Sequence, residues 1–155
     1  MNDMIILIMM TTMICIMMNK IKFILYFLWQ LPQNLFALLI LPFLGKRKLI
    51  RTEKYSYIFE CNKMNGGISL GNFIFLSTKS AKKEAVIQHE LGHVQQSHML
   101  GWLYLLIIGA PSLLNAVVGF TECYYEWYTE SWANKLAGVK TVKNQYGCYI
   151  YIPKE

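Results

Sequence analysis

The chain has little charge. Only 15% of its residues are Asp, Glu, Lys or Arg, against a usual share of about a quarter, while 55% are hydrophobic; the balance leans towards membrane contact. It has no recognition motif and no basic stripe set among exposed aromatic platforms, so no nucleic-acid partner is expected. The basic residues instead flank apolar runs, Lys20 and Lys22 after one, Lys46, Arg47, Lys48 and Arg51 after the next. Such flanks mark where a chain leaves a bilayer on its positive side. CxxC pairs are missing too. Cys15, Cys61, Cys123 and Cys148 stand far apart, so neither a disulfide framework nor a thiolate zinc site is expected, and reduced structural thiols are. Repeats and low-complexity linkers are absent, and 155 residues suit a single domain over 1–155, with membrane-associated N-terminal helices over 1–45.

Along the chain, the first apolar run, Met4 to Met18, is short for a span and is interrupted by threonines. Asn19, Lys20, Ile21 and Lys22 follow it in place of a small-residue cleavage site, so a retained membrane-associated helix is expected rather than a signal sequence. The second run, Phe23 to Gly45, carries Pro32 and the amides of Gln30, Gln33 and Asn34 near its middle. Proline removes a backbone donor, so this segment kinks or turns back. "YSYIFECN" and "ISLGNFIFLST" are rich in β-branched and aromatic residues and are joined through "KMNGG", which predicts a β-hairpin. A helix follows at about 80–100, capped by Ser77, Thr78 or Ser80 and ending near Gly101. A third apolar run, Leu100 to Phe120, is broken by Gly109 and Pro111, a last helix covers about 121–136, and the tail "YGCYIYIP" reads as a short strand.

The polar interest lies in "QHELGHVQQSH", Gln88 to His98. His89 and His93 are four apart, on one face of a helix, and can reach one ion; Glu90 stands beside them where it can take a proton from metal-bound water, the logic of H-E-x-x-H. These are two of only three histidines in the chain. Gly92 lets a neighbouring backbone or a substrate come close, at about 1 kcal/mol of helix propensity. A zinc enzyme needs a third protein ligand and an open position for water. His98 lies nine residues after His89 where the metzincin pattern needs ten, with Gln96 where that pattern has Gly, so its expected place is interfacial, behind a ligand or beside substrate. Glu122, Glu126 and Glu130 follow at four-residue spacing, on one face if that segment is one helix.

"TESWANKLAG" has the form E-x-x-A-N, and together the two stretches resemble the gluzincin metalloproteases, in particular the membrane-bound branch with the heat-shock membrane protease and the prenyl-protein protease. In that family a downstream helix bears a Glu ligand and, four residues later, an Asp that orients a ligand histidine. The resemblance implies that Glu130 is the third ligand and that Asn134 stands in the Asp position, with Glu126 as substitute. A neutral amide can orient an imidazole but does not raise its basicity as a carboxylate does. The expected fold is mainly α with a small β-hairpin, an α+β protein with membrane-associated helices, and the resemblance implies a zincin-like helix pair as its active site. Residues 46–155 become the metalloprotease-like catalytic region.

If the three ligands share one ion, both helices lie on the same side of any membrane. The run 100–120 must then dip and return as a broken hairpin about Pro111, in lipid or in a soluble core. Basic residues in 46–83 place this face on the cytoplasmic side, and the charged and amide residues of 82–98 place the motif helix at the surface. The expected function is a membrane-associated zinc metallopeptidase with a peptide or protein substrate and Glu90 as general base. Tyr124, Tyr125, Tyr128 and His98 are candidate oxyanion donors, and the hairpin edge about 67–76 is a candidate strand-addition site. The alternatives are a non-catalytic membrane-attached metal-binding or scaffold protein, and a membrane-active peptide-like protein.

Overall fold

A computed structural model describes residues 2–53, 55–145 and 147–153, with only the backbone of residues 2 and 3; Met1, Lys54, Lys154, Glu155 and Tyr146, the first residue of the tail stretch, lie outside the described residues. The chain opens with α1, Asn2–Trp29. Its Ile, Leu and Met residues are compatible with a helix, and Pro32 is the first Pro in the chain. The Thr11 and Thr12 hydroxyls, which interrupt the run in sequence, bond back to the Ile8 carbonyl at 2.9 and 2.7 Å and stay within the helix. The expected end at Met18 is therefore corrected: Asn19, Lys20 and Lys22 lie inside the helix. An 18-residue window of Met4–Trp29 has a mean hydropathy of 2.0 with none of it buried in the protein, and the 26 residues reach about 39 Å at 1.5 Å each, enough to cross a bilayer.

The expected break at Pro32 is present. α1 stops at Trp29 and α2, Leu31–Ile40, begins with Pro32 in its first turn. Proline denies the Leu28 carbonyl its usual donor, and the Trp102 indole N–H replaces it at 3.1 Å. Asn34 Nδ2 covers the Phe27 carbonyl at 3.0 Å. Gln33 donates to Ser97 Oγ and the Gly101 carbonyl, so two of the three amides in this stretch tie the helix break to the rest of the protein.

A four-stranded sheet follows, with β1 Arg47–Glu53, β2 Ser56–Cys61, β3 Gly67–Leu70 and β4 Phe73–Ser77 in the order β1-β2-β4-β3. The predicted hairpin is corrected. "ISLGNFIFLST" folds on itself at Gly71 and Asn72 into β3 and β4, and β2 pairs with β4 in parallel rather than with β3 across "KMNGG". Gly71 has φ +60°, and a Cβ there would meet Asn34 Oδ1 at 2.2 Å, the oxygen that accepts the Asn72 N–H. Period-two alternation then sends Ile58, Ile74 and Leu76 to one face, against Ile87, Leu91 and Val94, and Cys61, Leu70 and Phe75 to the other, against Ala37 and Leu44. β3 is left at the sheet edge.

α3, Glu84–Leu100, lies across the first of these faces with nine buried residues, which corrects its expected place at the surface. Beyond it the chain bends by 118° through a 3-10 turn, Gly101–Leu103, into a π-turn, Leu105–Gly109, that continues as α4, Ala110–Val118. The break therefore falls at Gly101, not at Pro111. Pro111 lies within this continuous run and leaves the Ile107 carbonyl without its usual donor; the Tyr128 hydroxyl donates to that carbonyl instead at 2.6 Å, and the helix passes through the proline unbroken. Gly101 has φ +53°, and a Cβ would press into the Trp29 ring at 2.3 Å. The expected helix over 121–136 is also shortened: α5 is Tyr128–Ala137, preceded by a 3-10 turn at Tyr124–Glu126. The tail strand is β6, Gly147–Tyr151, paired with β5, Lys140–Asn144. Cys123 and Cys148 form a disulfide, with Cα atoms 5.6 Å apart, which corrects the expectation of four reduced thiols; Cys15 and Cys61 are free. The fold is α+β.

Candidate metal centre

Helical spacing places His89 and His93 one turn apart on the buried face of α3, and α5 brings Glu130 to them. The close approach of the two helices depends on Gly92, where a Cβ would stand 2.2 Å from the Ala133 carbonyl oxygen. Glu130 Oε2 lies 3.2 Å from His89 Nε2 and 3.1 Å from His93 Nε2. All three ligand atoms fall within 4.8 Å of one another, and all three residues are buried. An ion with tetrahedral bonds of about 2.0–2.1 Å separates its ligand atoms by roughly 3.3–3.4 Å, so both contacts to Glu130 are near that spacing.

The far side of each ring explains what the near side needs. His89 Nδ1 meets Asn134 Oδ1 at 2.7 Å and His93 Nδ1 meets Gln96 Oε1 at 2.8 Å. Both amides are held in that sense by their own N–H groups, Asn134 donating to Thr141 Oγ1 at 3.0 Å and Gln96 to the Thr129 carbonyl at 2.8 Å. Each Nδ1 therefore carries the proton, and two Nε2 lone pairs and a carboxylate oxygen point at one another in a buried space. Such an arrangement requires a cation or an extra proton. The donor set of two imidazoles and one carboxylate suits a divalent metal, and the group could hold one. Burial alone would lower the His93 imidazole, but the hydrogen bond and charge of Glu130, with Glu90 and Gln96, outweigh it and raise it. Burial would raise the Glu130 carboxyl, yet hydrogen bonds from His89 and His93, the charge of His93 and the Ser112 hydroxyl hold it far below the ordinary carboxylate range.

Glu90, beside His89 on α3, is also buried. Ser69 Oγ on β3 lies 2.8 Å from its Oε2 and 2.9 Å from its main-chain oxygen, and a Cβ at Gly67 would meet its Oε1 at 2.3 Å. The sheet edge thus passes directly over the Glu90 carboxylate. Tyr104, at the bend after α3, donates to the Ser69 carbonyl at 3.3 Å; burial and the negative charges of Glu90 and Glu130 push its phenol well up.

Of the expected residues, His89, Glu90, His93, Glu130 and Asn134 lie together. Glu126 is exposed on the turn before α5, and Glu122 pairs with Lys143 at the surface, so the one-face acidic stripe is not formed. His98 lies apart from the centre, stacked on Tyr26 with ring centroids 4.2 Å apart, and burial lowers its imidazole. Tyr128 donates to the Ile107 carbonyl. Tyr125 meets the His89 ring edge-on at 5.4 Å, and Tyr124 reaches Ser112 at 2.8 Å. Gln96, Ser69, Tyr104 and Ser112 were not foreseen as parts of the site. Gln96 had a signal, being three residues after His93 on the same helical face; Ser69, Tyr104 and Ser112 arrive from separate segments and had none. Comparison with protein-family models, with curated proteins and with solved structures finds no match to this chain.

Proposed function

We propose that the protein is a membrane-associated zinc metallopeptidase. The observation that carries the reading is the convergence of His89 Nε2, His93 Nε2 and Glu130 Oε2 in a buried space with both Nδ1 protons already committed to amides. The resemblance of the two stretches to gluzincins supports the same ligand set. Zinc bound there would lower the pKa of a water towards about 7 and polarise a peptide carbonyl. Glu90 takes the proton of the attacking water and returns it to the departing amine; Ser69 holds its carboxylate in place. β3, at the sheet edge beside Glu90, offers backbone groups to an extended peptide or protein substrate by strand addition. Tyr125, whose ring meets His89 edge-on at the centre, is the oxyanion donor this geometry favours.

The apolar, unburied α1 supports attachment to the membrane. The basic residues Lys46, Arg47, Lys48 and Arg51 favour a cytoplasmic site, whereas the Cys123–Cys148 disulfide favours an oxidising compartment. Alkylation of the protein as the cell makes it decides the face: blocked Cys123 and Cys148 place the site outside the cytoplasm. The second reading, a non-catalytic membrane-attached metal-binding or scaffold protein, is favoured by the neutral Asn134 behind His89. Zinc content and peptide hydrolysis of the wild type, His93→Ala and Glu90→Gln separate the two. The peptidase loses zinc with His93→Ala and keeps zinc but loses hydrolysis with Glu90→Gln; a zinc-loaded wild type with no hydrolysis of any peptide defeats the enzymatic reading.

A further inference from the structure

The segment 101–118 joins two surfaces of opposite character. No charged residue occurs from Met99 to Thr121. Its outward side carries Leu106, Leu113 and Val117, exposed by 72%, 66% and 77%. Its inward stripe is Ile108, Ser112 and Asn115, spaced four and three residues apart; Ile108 and Asn115 are buried, and Ser112 reaches Tyr124 and Glu130. A helix on a water-soluble protein turns its polar side outward, the reverse of this pattern. The root of the arm is fixed to the end of α1 through the Trp102 bond to Leu28 and the Gly101–Trp29 contact. The arm therefore starts at the end of α1, whose side chains are exposed and apolar along most of its length. Continuity with a helix long enough to cross a bilayer identifies the occupant as lipid.

We propose that this arm is seated in the bilayer by its outer face, and that Ser112 on its inner face is a positioning residue that holds Glu130 in register with the two imidazoles. The inference rests on the metal-centre reading. The two oxygens of Glu130 have divided tasks: Oε2 faces His89 and His93, and Oε1 accepts from Thr129 Oγ1 at 3.1 Å and from Ser112. Thr129 moves with Glu130 on α5. Ser112 comes from another element, so its hydroxyl couples the rotation of the carboxylate to the seat of the arm. Ser112 Oγ also meets the Tyr124 hydroxyl at 2.8 Å, a contact in which either oxygen can donate.

Zinc titration of the full chain in phospholipid nanodiscs, against a competing chromophoric chelator, tests the coupling. Ser112→Ala is expected to bind zinc about 10- to 100-fold more weakly than the wild type, the usual consequence of losing a group that orients a ligand, while Ser112→Thr restores tight binding. Equal affinity in the wild type and in folded Ser112→Ala overturns the positioning role. If Ser112→Ala does not fold, Val117→Asp on the outer face carries the test, since a charge there must unseat the arm and weaken zinc binding; unchanged affinity overturns the coupling. The seat is read from a nitroxide on Val117→Cys in a Cys15→Ser, Cys61→Ala background. Collisions with oxygen but not with a water-soluble nickel complex support lipid. Access to nickel, or protection from both as a second copy of the chain would give, overturns it. A wild type that binds no zinc removes the metal-centre reading itself, whereas a zinc-binding wild type indistinguishable from Ser112→Ala removes only this inference.

Discussion

Around His93 the protein buries Glu130, Gln96 and Asn134, whereas along α1 and the arm it exposes Met9, Leu106 and Val117. Both regions invert the usual distribution of polar and apolar side chains, and each inversion has its own physical reason. In the first, buried polar groups find partners: Asn134 and Gln96 each accept from an imidazole and donate onward, so the desolvation cost is met by hydrogen bonds. In the second, the described residues leave most of the apolar surface of these side chains uncovered, and the free energy of covering it is left to the surroundings.

The largest expected effect on this contrast comes from adding one methyl group. Gly92→Ala drives a Cβ into the Ala133 carbonyl, where backbone must yield; overpacking of this kind costs about 1–3 kcal/mol and moves Glu130 away from the imidazoles. Urea unfolding and zinc titration should both show the loss. The same change in the arm, Gly109→Ala, meets the flexible Leu105 Cδ2 at 3.3 Å and otherwise only ordinary contacts, the nearest backbone atom being the Tyr104 carbonyl oxygen at 3.9 Å; it gains helix propensity of up to about 1 kcal/mol, so neutral or improved stability is expected. Equal damage at both positions would erase the distinction.

Asn134→Ala removes the acceptor at His89 Nδ1 and is expected to weaken zinc binding about 10- to 100-fold with the fold intact. Asn134→Asp should tighten it, because a carboxylate raises the basicity of the ring. A smaller effect is expected from pH on the metal-free protein. The His93 imidazole is raised above its ordinary value of 6.5 by Glu130, so its contribution to stability is complete below that pH and is lost as pH rises through the raised value. Thermal melts should fall across that window in the metal-free wild type and stay flatter in His93→Gln. Last, Leu114→Ser on the outer face of α4 should change unfolding in detergent by under about 0.5 kcal/mol; a loss of several times that amount would mean that protein, not lipid, covers this face.

Much of the site was legible in the sequence. His89 and His93 declare themselves because their four-residue spacing matches a helical turn, and Gly92 marked the face where α5 arrives. Glu130 and Asn134 were named through the resemblance of "TESWANKLAG"; the fold brings Glu130 Oε2 to 3.2 Å from His89 Nε2 and Asn134 Oδ1 to 2.7 Å from His89 Nδ1. The fold was legible less evenly. A four-residue acidic rhythm from Glu122 to Glu130 suggested one helix, yet the segment is irregular up to Trp127. β1, "RKLIRTE", gives too few apolar positions to stand out, and the parallel pairing of β2 with β4 joins residues whose partnership no local pattern records. The bend at Gly101 was hidden by the stronger breaker at Pro111, which the run from π-turn to α4 accommodates without a bend. Lys20 and Lys22 suggested an end to the first helix, but their long stems allow a charged head to reach water from within it.

X-ray absorption at the zinc edge of the metal-loaded protein tests the central claim most directly. Bound zinc is expected to show two imidazole nitrogens and one carboxylate oxygen at about 2.0–2.2 Å, with the remaining position held by a light atom from solvent. Sulfur at about 2.3 Å, or a protein that takes up no zinc, would contradict it.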